Sequence, residues 1–237
     1  MKSKQILPQL FSKAFLKCLQ LLVILTTFFM GLHAQRKIDL TDLSEFQTPA
    51  ANWQLVGDAR TDLEKDNAFF LTPGKSILVS QAKENTHGQD LLFNSMHGDA
   101  DVELDYIMAK NSNSGIYLQG RYEIQVLDSY GLDSKDNDCG GIYKIAAPLK
   151  NACRKPEEWQ SYDVAFRTAR VENDALKEKP RVTVFHNDVM IHNNLEIPTP
   201  TGGAMVMDMR KPGSLLLQDH GDLVRYRNVW VLPINNG

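Results

Sequence analysis

Residues 111–131, NSNSGIYLQGRYEIQVLDSYG, constrain this chain more than any other stretch. Over 116–127 the side chains alternate. Ile116, Leu118, Tyr122, Ile124 and Val126 fall on one side, and Tyr117, Gln119, Arg121, Glu123 and Gln125 fall on the other. Successive side chains of a strand point to opposite faces, so the pattern predicts one long strand with one face on a core. The second face carries an aromatic ring, amides, a guanidinium and a carboxylate in place of the Lys, Thr and Ser of an ordinary solvated face. Such planar groups form paired hydrogen bonds with vicinal hydroxyls or a carbonyl, and the row reads as an open, concave, sugar-facing surface. On spacing alone it reads more readily as a polar outer face with a contact between Arg121 and Glu123.

The remaining strand-like segments are 76–80, 102–108, 161–166, 181–186, 189–192, 215–218 and 224–232, separated by loops carrying Gly, Asn, Asp and Pro. Helical periodicity is scarce, which predicts an all-β sandwich. No linker or internal repeat divides residues 35–237, so they are expected to form one domain. Residues 128–151 read as a rim or lid that follows directly from the long strand. Residues 172–180 read as an exposed charged loop, and 198–212 as a turn-rich crossover.

Residues 1–34 read as a signal peptide. Lys2, Lys4, Lys13 and Lys17 precede the apolar run 19–32, and Ala34 offers the small residue a signal peptidase accepts. The mature chain is expected to be exported to the periplasm or beyond the cell, without stable membrane insertion. Removing those four lysines takes the formal charge from −3 to −7, and an acidic chain without a basic stripe argues against nucleic acid. Only Cys139 and Cys153 then remain, and in an oxidising compartment they are expected to pair as a disulfide. Closing that loop of about 15 residues would contribute roughly 3 kcal/mol.

No HExxH, CxxC pair, EF-hand loop, GxSxG or phosphate-cradling glycine loop is present. No metal site can be assembled from the residues and no cofactor is expected, although a divalent metal is left open. His87, His97, His186 and His192 read as loop or turn residues. His220 differs, because its spacing from Gln218 in LLLQDHG lets the two share a face.

Five segments together resemble the 3-keto-disaccharide hydrolase family, also described as a 3-keto-glucoside 1,2-lyase/3-keto-2-hydroxy-glucal hydratase domain. They are SGIYLQGRYEIQVLDSYG, DCGGIYKIAAP, WQSYDVAFR, VTVFHNDV and LLLQDHGDLVRYRNVWVLP, and the resemblance spans residues 39–233. It implies a jelly roll of the concanavalin A-like lectin/glucanase kind whose concave sheet holds a small carbohydrate. It also implies net hydrolysis of 3-keto-glycosides by C2 proton abstraction, elimination at C1 and hydration. Ordinary glycoside hydrolysis uses two carboxylates ~5–9.5 Å apart, and the polar row holds one. A 3-keto sugar asks for less, because the ketone acidifies the C2 hydrogen and one base suffices.

Under that resemblance Glu123 is the first candidate base, with His220 or Asp128 second. Tyr117, Gln119, Gln125 and Gln218 would bind the sugar, and Arg121 would stabilise the enolate. Two other readings stay open: a non-catalytic carbohydrate-binding module on the same fold, and an exported β-protein that uses the row as an interface. The oligomeric state and the anomeric and aglycone preferences are not encoded in any motif.

Overall fold

The computed structural model describes residues 36–37, 40, 42–47, 51–66, 68–80 and 88–234. The expected signal peptide and His87 lie outside them. Among the described residues there is no helix. The strands are β1 (Arg36–Lys37), β2 (Trp53–Thr61), β3 (Phe69–Ser80), β4 (Leu91–His97), β5 (Ala100–Met108), β6 (Asn113–Leu118), β7 (Tyr122–Leu127), β8 (Gln160–Arg167), β9 (Arg170–Glu172), β10 (Ala175–Glu178), β11 (Arg181–His186), β12 (Val189–Glu196), β13 (Gly213–Leu217) and β14 (Val224–Pro233).

Two antiparallel sheets carry the fold. The larger runs β12-β11-β8-β5-β14-β3-β2, with β1 also on β14, and the smaller runs β4-β13-β6-β7. Alternation decides what lies between them. Val102, Leu104, Tyr106 and Met108 of β5 join Tyr162, Val164 and Phe166 of β8 in one core, together with Leu91, Phe93, Ile116, Leu118, Ile124, Leu215 and Leu217 of the smaller sheet. Each such side chain contributes roughly 1.5–3 kcal/mol on burial, so the sandwich rests on this layer.

Residues 172–180 depart from expectation. They belong largely to a hairpin, β9–β10, whose turn residues Asn173 (φ 51°) and Asp174 (φ 57°) both adopt the left-handed conformation that mirror-image hairpin turns require. Its charges are partly paired, Lys177 with Glu172 and Arg167 with Glu178. β2 and β4 carry no sequence signal of comparable clarity, because β-bulges interrupt their pairing and with it the period of two.

Candidate active site

The single long strand expected over 116–127 is a hairpin. β6 and β7 meet at Gln119 (φ 54°) and Gly120 (φ 61°), closed by Arg121 N–H donating to the Leu118 carbonyl at 3.0 Å. The register is symmetric about Gly120: Tyr117 pairs with Glu123 and Gly115 with Gln125. Residues of equal parity therefore still share a face. Ile116, Leu118, Tyr122, Ile124 and Val126 enter the core as expected, and Tyr117, Glu123 and Gln125 share the opposite face. Across the smaller sheet that face reads Leu92, Leu216, Tyr117, Glu123 in one row. Gln218 donates its N–H to the Gly115 carbonyl at 2.9 Å, which aligns Gln218, Gly115 and Gln125 in the next.

Glu123 folds back over Gly115, and a Cβ on that glycine would lie 2.4 Å from Oε1. The Tyr117 hydroxyl donates to Oε2 at 2.7 Å, and Gln218 Nε2 donates to the same hydroxyl at 3.3 Å. Burial pushes the Glu123 carboxyl up to about 7, opposed by the Tyr117 bond and assisted by the negative charge of Asp90. Burial and the neighbouring Glu123 charge also raise the Tyr117 phenol, which stays a proton donor at neutral pH. Among the described residues, Oε1 of Gln125 and Oε1 of Gln218 are buried without a hydrogen-bond partner. An orphaned acceptor costs about 1–3 kcal/mol, which the hydroxyls of a ligand would offset.

Loops close over this face. β7 is an edge strand, and its unpaired backbone groups capture two segments. Gln125 exchanges backbone bonds with Gly140 and Gly141, and Glu123 accepts from Tyr143 N–H at 3.2 Å. Arg121 and Gly120 accept from Thr201 and Met205, both at 2.9 Å. Thr201 Oγ1 also accepts the Glu123 N–H at 2.9 Å and donates to the Arg121 carbonyl at 3.0 Å. Gly203 (φ 77°) passes close enough to the Tyr117 hydroxyl that a Cβ would clash at 2.5 Å. Tyr117, Gln119, Arg121, Glu123 and Gln125 are consequently 2–3% exposed, so the expected open concave face is roofed.

Several expected site residues are placed elsewhere. Arg121 clasps backbone, donating from NH1 to the Lys211 carbonyl at 2.7 Å and from NH2 to Pro212 at 3.4 Å. Gln119 lies in the turn with its amide committed to the His97 carbonyl, Thr168 and Arg121. Asp128 stands beyond the far end of β7, about 17 Å of strand from Glu123. There it caps Asn111 N–H at 2.9 Å and lines a separate cleft with Lys110 and Tyr130. His220 is exposed after β13, with its charge felt by Asp90 and Asp222.

Among the other described histidines, His97 lies in a strand rather than a loop, and His186 and His192 lie within strands of the segments expected at 181–186 and 189–192 rather than in turns. His97 ends β4, and His186 and His192 are buried in β11 and β12. Cys139 and Cys153 are two free buried thiols in this structure rather than a disulfide. Cys139 contacts the Tyr106 and Tyr162 hydroxyls, and Cys153 donates to the Arg154 carbonyl at 3.3 Å.

Thr201 and Tyr143 fall in segments read only as a crossover and a rim, and Asp90 had no reading in the sequence. Asp90 immediately precedes β4, whose Leu91 and Phe93 point into the core, so Asp90 shares the outer side with Leu92. Among the described residues, no three His, Cys, Asp or Glu side chains converge as metal ligands.

Two antiparallel sheets around one core, with a roofed polar row on the outer face of the smaller, define an all-β sandwich. Residues 40–232 match the model of the 3-keto-alpha-glucoside-1,2-lyase-like domain, and the chain belongs to that family. A "putative glycosyl hydrolase" from Parabacteroides distasonis ATCC 8503 is 28% identical, with a TM-score of 0.58 over 81% of this chain and 84% of that one. A second protein of the same description and organism shares the fold at 15% identity and a TM-score of 0.51, covering 78% of this chain and 89% of its own. No curated protein matches the chain.

Proposed function

We propose that this protein is an exported carbohydrate-active enzyme that cleaves 3-keto-glycosides by abstracting the C2 proton, eliminating the C1 substituent and hydrating the resulting 3-keto-2-hydroxyglucal. Family membership and the glycosyl hydrolase relative support the carbohydrate class. One observation carries the mechanism: a nearly sealed carboxylate, Glu123, is tuned to about 7 and stands beside two unpartnered amide oxygens. A base is most effective when its pKa lies near the working pH, and burial is the means by which proteins raise a carboxyl there. A binding module would have no use for that tuning.

Roles follow from what each side chain has left to offer. Glu123 takes the C2 proton. Gln125 and Gln218 accept sugar hydroxyls through their orphaned oxygens. Tyr117, neutral and beside the base, can donate to the enolate oxygen once Glu123 is protonated, and Arg121, whose NH1 and NH2 groups turn to the Lys211 and Pro212 carbonyls, keeps an Nε–H without a partner among the described residues. The test is to offer the purified protein 3-keto-disaccharides beside the unoxidised sugars and follow sugar release. Release of 3-keto-glucose from the oxidised set alone is expected. Turnover of the unoxidised sugars alone would overturn the reading.

A further inference from the structure

The face that holds Glu123 carries a second carboxylate. Leu91 pairs with Leu217, so Asp90 stands opposite Gln218, in the row that continues to Gly115 and Gln125. The Glu123 carboxyl has folded over Gly115, one strand in from its own backbone. From β6 to β4 is two strand spacings, about 9.5 Å between backbones. The two acids thus lie on the same face of the sheet to either side of Gln218, and the Asp90 charge raises both Glu123 and Tyr117.

Asp90 is also held in place. Trp53 Nε1 donates to the Gln89 carbonyl at 2.7 Å, Asn52 Nδ2 to the same carbonyl at 3.0 Å, and Asp219 N–H to Asp90 Oδ1 at 2.9 Å. Asp219 in turn accepts from Ser80 at 3.0 Å and from Gly221 at 2.7 Å. No hydrogen bond from a described residue engages Asp90 Oδ2, and Asp90 is exposed where Glu123 is sealed. One acid is therefore buried under the sugar-facing row and the other stands at its open end.

We propose that Asp90 is the acid–base residue on the leaving-group side of the site, protonating the aglycone oxygen as the C1–O bond breaks and accepting a proton from the water that adds back at C1. The inference rests on the elimination reading of the preceding subsection. In the first half Glu123 carboxylate takes the C2 proton, the C2–H electron pair becomes the C1=C2 bond, the C1–O pair leaves with the aglycone, and the Asp90 carboxylic acid supplies that oxygen's proton. In the second half Asp90 carboxylate takes a proton from water, hydroxide bonds to C1, and Glu123 returns a proton to C2. Both acids end as they began. Desolvation of its carboxyl raises Asp90, with the charge of Asp219 adding to the rise and the Asp219 N–H and His220 opposing it.

The test compares wild type and Asp90→Asn on two 3-keto-glucosides that share the sugar, one with a 4-nitrophenyl and one with a methyl aglycone. Asn keeps an oxygen for Asp219 N–H, so the segment should stay in place, and thermal unfolding checks this. A nitrophenolate leaves without a proton, whereas methoxide does not. With aglycone release followed in a single turnover, before hydration enters, Asp90→Asn should keep the aryl rate within about tenfold and lose ~10²–10⁴-fold on the methyl substrate. Asp90→Glu should recover part of that loss. Equal loss on both substrates, or loss on neither, overturns the role. If wild-type product formed in D₂O lacks deuterium at C2, the elimination reading itself fails. With that label present, the leaving-group pattern decides on Asp90 alone.

Discussion

The Tyr117 hydroxyl lies 2.7 Å from Oε2 of Glu123, and it has one proton for two acceptors, because the Gly202 carbonyl stands 3.0 Å away. With Glu123 ionised, the proton belongs to the carboxylate. With Glu123 protonated, the carboxyl can donate to the phenol, whose own proton then turns to Gly202. The charge on the base is thereby linked to a residue of the roof.

Tyr117→Phe tests that link. The Tyr117 bond lowers Glu123 against the rise caused by burial, so deleting the hydroxyl should move the carboxyl above about 7. The rising limb of the kcat/KM profile should shift to higher pH, with the rate on its plateau reduced. A limb that stays in place would show that the phenol does not set the acidity of the base.

Glu123→Gln should change the pH dependence of stability. Glu123 binds its proton more tightly folded, at about 7, than unfolded, near 4.5, so the folded state holds the extra proton between those values. Its contribution is fully present below 4.5 and lost as pH rises through 7, on the order of 3 kcal/mol at most. Denaturant titrations from pH 4 to 8 should show Glu123→Gln gaining stability relative to wild type across that window. A constant difference would contradict the raised carboxyl.

Gly115→Ala should harm chemistry more than fold. The added methyl meets the flexible end of Glu123, at 2.4 Å from Oε1, rather than backbone. The carboxylate must move, and a displacement of about 1 Å can cost 10²-fold in rate. Near-normal turnover with an unchanged melting temperature would place the working base elsewhere.

Arg121→Met should lower stability by on the order of 2–3 kcal/mol, because it removes charged donors from the Lys211 and Pro212 carbonyls. Its charge is not among the influences on Glu123, so the limb near pH 7 should remain. A displaced limb with unchanged stability would return Arg121 to the reacting centre.

How much of this was legible in the sequence depends on distance along the chain. The parity of 116–127 was readable and survives the hairpin, because a register symmetric about Gly120 brings odd residues to odd. The turn itself had a signal, a lone glycine inside a strand pattern. Burial of the row had a partial signal, since 128–151 read as a rim or lid and Gly140, Gly141 and Tyr143 bond to the edge of β7, whereas Thr201 and Gly203 reach Tyr117 and Glu123 from about eighty residues away. Asp90 had no signal, because its place depends on β4 pairing with β13 across a bulge that blurs alternation in LLFNSMH. Gln119 and Arg121 have the right parity, but at the turn their side chains are drawn to Thr168, His97 and the Lys211 and Pro212 carbonyls.

The most direct test of Glu123 as the C2 base is the isotopic fate of C2. A 3-keto-disaccharide is turned over in D₂O by wild type and by Glu123→Gln, and the released 3-keto-glucose is read by NMR before free product exchanges. Wild type should place one deuterium at C2, and Glu123→Gln should lose ~10²–10⁴-fold in both release and labelling. Product released by wild type with its original C2 hydrogen, or labelling undiminished in Glu123→Gln, would contradict it.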